Sequence, residues 1–189
     1  MADLVELFRR SIDTFTSRVE AVGPDQWHDP TPCDEWDVRA LVNHVTGEQL
    51  WAPHLVAGET IEQVGDRYDG DVLESDPAAL VRDASQRSSA AFAGADLDAI
   101  VHLSFGDVPC REYLLQMLTD AEVHGWDLAV ATGQDTAVDP EVAAALLPSL
   151  AEQEELIRGS GVFGEAQPVG ADADDATRVL AMLGRQTRD

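Results

Sequence analysis

Lysine is absent from the 189-residue chain, so its twelve basic residues are all arginines. Every mechanism that needs a lysine amine, pyridoxal phosphate chemistry included, is excluded with it. Positive charge is scarce in general: 36 acidic residues against 12 basic ones give a formal net charge of −24. A surface of that sign repels the phosphates of nucleic acid and of anionic lipid, so neither is expected as a partner. Cysteine is nearly missing. Cys33 and Cys110 are too few for a disulfide framework, fit a reducing compartment, and have no zinc-finger spacing around them. No apolar run approaches the length of a membrane span. The acidic, amphipathic start Met1-Ala2-Asp3-Leu4-Val5-Glu6 is unlike the basic start of a signal peptide. A cytoplasmic protein is the expectation. A Gly-rich phosphate loop, a Gly-x-Ser-x-Gly elbow, an internal repeat and a low-complexity tract are all missing too.

What is present reads as one soluble domain over residues 1–189, with 44% hydrophobic and 25% charged residues. Leu4, Leu7, Phe8, Ile12, Phe15, Val19 and Val22 form one apolar stripe, and Gly23-Pro24 ends that first helix. An extended connector carrying Pro30, Pro32, Trp27 and Trp36 leads to Asp37, the N-cap expected for a second helix through about Ala57. Residues 58–75 read as loop with at most a short helical turn. A third helix starts at Ser75 or Asp76, with Pro77 in its first turn and Gly94 at its end. Ile100 to Phe105 is the one strand-like segment, with Val101, Leu103 and Phe105 alternating and Gly106-Asp107 breaking it. A fourth helix opens at Pro109 and ends near Gly133; a fifth spans Glu141 to about Arg158, and a short last one 174–184. The expected fold is all-α: an antiparallel four-helix bundle with short additional C-terminal helices and at most a minor strand segment.

The fourth helix carries the stretch with chemistry, Asp120-Ala121-Glu122-Val123-His124-Gly125-Trp126-Asp127-Leu128-Ala129. Asp120 and His124 are one turn apart and leave the same face. A carboxylate and an imidazole on an inner helix face carry a desolvation cost unless paired or metal-bound. His44 sits mid-helix among Leu41, Val42 and Val45 of the second helix. Bundles build metal sites from facing helices, so His44, Asp120 and His124 are the candidate ligands, with positions left open for water or substrate. The same residues also fit a plainer reading, a hydrogen-bonded core histidine and a helix-surface ion pair. Glu48, one turn after His44, would be a ligand or stand behind the ligands. Asp127 would orient His124 or simply cap the helix. Glu122 lies about 160° around the helix from Asp120 and is expected in solvent. Trp36 and Trp126 read as packing residues, and Cys33 and Cys110 as inert small hydrophobes.

Two segments resemble a known family. Thr31-Pro32-Cys33-Asp34-Glu35-Trp36-Asp37-Val38-Arg39-Ala40-Leu41-Val42-Asn43-His44-Val45 is similar to the TPC-x-x-W-x-V-x-x-L-x-x-H signature of actinobacterial DinB-like proteins. These group with the metal-binding domain of mycothiol-dependent maleylpyruvate isomerase. Asp120 to Ala129 resembles that family's D-x-x-x-H-x-W-D-L-A signature, and Leu180-Ala181-Met182-Leu183-Gly184-Arg185 its C-terminal helix. The resemblance implies a divalent metal, zinc or nickel, on His44, Asp120 and His124, with Asp127 and Glu48 in support. It also implies mycothiol as a small thiol co-substrate, a small electrophile as substrate and a homodimer as a possible assembly. The isomerase has a glutamate where this chain has Asp120, one methylene shorter. It also carries a further C-terminal domain for which this chain has no room, so maleylpyruvate isomerisation itself is not the default expectation. The resulting expectation is a metal- and thiol-dependent transferase or isomerase, with Arg39 or Arg111 meeting any anionic substrate. The competing expectation is a metal-binding stress or regulatory protein without turnover.

Overall fold

The computed structural model describes residues 3–34, 36–153 and 164–186. They divide into two compact units, Asp3–Thr136 and a second from Ala137 onward. The first holds helices α1 (Leu4–Glu20), α2 (Val38–Val56), α3 (Ile61–Val64) and α4 (Pro77–Ala93), strands β1 (Ile100–Leu103) and β2 (Gly106–Pro109), and helix α5 (Cys110–Thr132). The second holds α6 (Pro140–Glu152) and α7 (Asp175–Met182), which pack on each other. The expected continuation of α6 to Arg158 lies outside the described residues. The fold is all-α with a minor strand pair.

Helices α1, α2 and α4 each start where a short polar side chain satisfies a first free amide. Asp3 accepts from the Val5 amide, Asp37 from Ala40, and Asp76 from Ala79 just ahead of Pro77. Helix α5 is different: Pro109 offers no side-chain cap. The Cys110 and Arg111 amides donate instead to the carbonyls of Ala99 and Leu97, so the chain just before the hairpin serves as the cap. Gly133, at φ 70°, closes the far end in the left-handed conformation that spares glycine a Cβ clash.

Helix α1 packs on α4 and α5, and α2 packs on the same two, giving a four-membered ring of helices. The predicted stripe on α1 is the buried one: Leu7, Phe8, Ile12, Phe15 and Val19 are all sealed in the core. Helix α5 lies between α1 and α2 and is buried almost all round, from Tyr113 and Leu114 through Leu128 and Ala129.

The strand segment differs from its expected form. Gly106-Asp107 does not end the β structure; it begins β2, which pairs antiparallel with β1 in the register Val101↔Val108 and His102↔Asp107. Gly106, at φ 139°, turns the chain in a conformation that side-chain-bearing residues avoid. The cross-strand contact of His102 Nδ1 with Asp107 Oδ1 at 2.7 Å supports a strand whose own pattern is weak. Phe105, expected to alternate with Val101 and Leu103, sits in the turn and is exposed.

Candidate metal centre

His44 projects from the middle of α2, and Asp120 and His124 from successive turns of α5, across the seam where these helices pack. A sequence separation of 76 positions between His44 and Asp120 collapses to a contact of 3.1 Å between His44 Nε2 and Asp120 Oδ1. His124 Nε2 approaches the same Oδ1 at 3.3 Å. One donor atom from each residue lies within 4.8 Å of the others. Four ligands at ~2.1 Å around a tetrahedral cation stand about 3.4 Å apart, so the two separations from Asp120 Oδ1 are near that spacing.

The environment of each donor is specific. His124 is buried, and its Nδ1 contacts Oδ2 of the fully buried Asp127 at 3.0 Å. That contact places the Nδ1 proton toward Asp127, so the proton that Nε2 directs at Asp120 is the one whose loss would free a lone pair for a cation. Burial alone would push His124 down; the carboxylates of Asp120 and then Asp127 more than offset it and raise the imidazole to about 9. His44 is likewise raised, its burial outweighed by Asp120. Asp120 moves the opposite way: burial opposes its charge, but the two imidazoles hold it far below the usual carboxylate range. Its second oxygen, Oδ2, is buried and has no hydrogen-bond partner among the described residues. A carboxylate kept ionised with one oxygen unsatisfied is costly as pure architecture. It suits a site completed by a cation.

Glu48 stands one turn beyond His44 and is half-buried. Burial, with Asp120 adding to it, raises its carboxyl above the ordinary range. Trp36 is more than packing. Thr31 Oγ1 donates to the Trp36 carbonyl at 2.8 Å, and the Trp36 amide donates to the Cys33 carbonyl. This tight loop sets the indole 4.6 Å from the His44 ring and 5.3 Å from the His124 ring, centre to centre. The Thr-Pro-Cys-x-x-Trp spacing is therefore a device for holding one wall of the site.

Other sequence candidates fall elsewhere. Glu122, expected in solvent, is buried and accepts a hydrogen bond from Ser11 of α1. The helix-wheel angle was right, but the far side of α5 faces α1 rather than water. Cys110 is buried, and burial pushes its thiol up rather than toward thiolate. Arg39 is engaged with Asp71 at 2.8 Å. Among the described residues, no helix is long and apolar enough to cross a membrane.

Residues 8–129 match the family model described as the mycothiol maleylpyruvate isomerase N-terminal domain. Two relatives from different strains of Mycobacterium tuberculosis, each described only as an uncharacterized protein, are 35% identical over 95% of this chain and 96% of their own length. Two solved structures of mycothiol-dependent maleylpyruvate isomerase share the fold. One, a histidine-to-alanine mutant, has a TM-score of 0.63 at 17% identity; the other has 0.61 at 16%. Each likeness covers 80% of this chain and 68% of the isomerase chain. Matched over the four bundle helices and the whole candidate centre, the chain belongs to the mycothiol maleylpyruvate isomerase N-terminal domain family.

Proposed function

We propose that this protein binds a divalent cation, zinc or nickel, through His44, Asp120 and His124, and uses it with a small thiol, mycothiol, to act on a small electrophile. The observation carrying this reading is the unsatisfied Asp120 Oδ2 beside two imidazoles, one of them fixed by Asp127. A bound cation would supply the Lewis acidity that keeps a coordinated thiol as thiolate at neutral pH. The residues around it have separable tasks. Asp127 fixes the tautomer and aim of His124. Trp36 shields the outer side of both imidazoles, which strengthens electrostatic interactions there. Glu48 supplies a carboxyl group with a raised affinity for its proton, next to where substrate would lie.

Elemental analysis of the purified chain tests the first half; about one equivalent of divalent metal is expected, and His44→Ala removes it. Calorimetric titration of the metal-loaded protein with mycothiol tests the second half. Metal without thiol binding would favour a passive metal-binding role. The absence of metal from both proteins would end the reading.

A further inference from the structure

The two imidazoles of the centre are held by different means. His124 has a full set of partners: Nε2 faces Asp120, Nδ1 meets Asp127, and its side chain is only 7% exposed. A ligating histidine is ordinarily fixed this way, by a hydrogen bond at the ring nitrogen that does not face the metal. His44 departs from that rule. Its side chain is 31% exposed, and among the described residues its ring makes one hydrogen bond, between Nε2 and Asp120. That contact chooses which nitrogen points inward but leaves the plane of the ring free to turn, and a cation held by Asp120 would replace it.

An aromatic face lies on His44 instead. The Trp36 indole stands 4.6 Å from its ring, centre to centre, with 35° between the planes. Toward His124 the same indole is farther and steeper, at 5.3 Å and 49°. The flatter, closer pair is the one nearer to offset stacking. His44 and His124 meet edge to face at 83° and 5.3 Å, so the three rings close a triangle. The chain before α2 builds this arrangement. Pro30 pairs with Asp37, the N-cap of α2, in an isolated β-bridge. Within that loop Thr31 is the clasp: its Oγ1 donates to the Trp36 carbonyl at 2.8 Å and accepts from the Cys33 amide at 3.1 Å. Its amide donates to the Trp36 carbonyl as well, at 3.3 Å. Trp36 is thereby fixed one residue before the cap of the helix that presents His44.

We infer that Trp36 is the positioning residue of His44, ring packing taking the place of the hydrogen bond that Asp127 supplies to His124, and that Thr31 acts through Trp36. The assignment rests on the reading of His44 as a metal ligand, though its first test needs no metal. The gain is one of order. A ring whose plane is fixed on folding gives up its rotamer freedom then, so less is lost when a cation binds. Removing the indole therefore acts on one imidazole of the pair. His124 keeps Asp127 and its burial, while His44 keeps only the Asp120 contact at its edge.

NMR relaxation of isotope-labelled histidine rings in the metal-free protein reads this asymmetry. Both rings are expected to be rigid in the wild type. In Trp36→Leu the His44 ring is expected to become mobile while that of His124 stays rigid. Thr31→Val, which leaves all three rings in place, is expected to loosen His44 in the same one-sided way but less, and Thr31→Ser to restore it. Zinc affinity, read by competition with a chelating dye, is expected to fall about tenfold in Trp36→Leu and to recover most of that loss in Trp36→Phe, whose flat ring still stacks. A His44 ring already mobile in the wild type, or rings equally rigid without the indole, would overturn the assignment. Rings that loosen together would do so too, making Trp36 a wall and not an orienting partner, as would unchanged zinc affinity in Trp36→Leu. Wild-type ring motion in Thr31→Val would overturn the part given to Thr31. A wild-type chain that binds no zinc would sink the metal reading, and the ring motions would still decide for or against Trp36.

Discussion

Helix α5 turns carboxylates inward on opposite sides, and the two are treated differently. Toward α1, Glu122 accepts from Ser11 and interacts with the charge of Arg18, whose side chain also donates to the Asp135 carbonyl. Gly125 leaves room there: a Cβ at that position would meet Arg18 Nη1 at 3.0 Å. Toward α2, Asp120 meets two imidazoles through one oxygen and nothing among the described residues through the other. Glu122 is buried and Asp120 half-buried with its Oδ2 sealed, on one helix and two residues apart. The difference teaches that burial of charge alone does not mark a site; an incomplete set of partners around a buried charge does.

Exchanging carboxylate for amide breaks the comparison most sharply at Asp120. Asp120→Asn removes the proposed anionic ligand, and the protein is expected to lose at least 100-fold in zinc affinity, read by competition with a chelating dye, while its metal-free melting temperature at neutral pH falls because both imidazoles lose the carboxylate they share. Were that variant to bind zinc as tightly as the wild type, the two carboxylates would be equivalent after all.

pH separates the two sides next. His124 is raised from 6.5 to about 9 in the metal-free protein. Its contribution to stability is fully present below pH ~6.5 and is lost as pH rises through about 9, amounting to a few kcal/mol at about 1.4 kcal/mol per unit. A cation must displace that proton, so the stabilisation added by zinc is expected to grow over the same interval. Thermal melts with and without zinc from pH 6 to 9.5 read both slopes; parallel curves would contradict the shared role of His124.

Glu122→Gln is expected to act on stability and leave metal content alone, costing about 1–3 kcal/mol in urea denaturation through a weakened buried network. The smallest effect belongs to Gly125→Ala. Alanine gains up to ~1 kcal/mol in helix propensity, and the movable end of Arg18 must shift to admit the methyl, so the net change is expected within about 1 kcal/mol with unaltered metal binding.

How much of this was readable in the chain depended on the range of the interaction. Asp120 and His124 are one helical turn apart, so their common face follows from geometry along a single helix. His44 was identifiable as a polar residue on an apolar stripe, though its contact with Asp120 is a tertiary fact. Glu122 was misplaced because a wheel gives angles and not neighbours: α5 has helices on both sides, and opposite Asp120 means facing α1. Strand β2 was hidden because Gly-Asp-Val-Pro has a breaker's composition and becomes a strand only through β1. Tyr113 was legible as a core residue from its spacing, but nothing local reveals that its hydroxyl lacks an acceptor among the described residues. Trp36 needed the loop closure made by Thr31, a contact across five residues, to reach the imidazoles.

That indole has a use beyond shaping the pocket. An indole whose ring centre lies 4.6 Å from one imidazole and 5.3 Å from another has an emission sensitive to whether those rings carry protons. The protein thus contains its own optical gauge of the centre. Trp27, Trp51 and Trp126 supply the background against which the signal of Trp36 is resolved by a single Trp36→Phe control. Occupancy, exchange rate and proton release then become readable in real time on unlabelled protein.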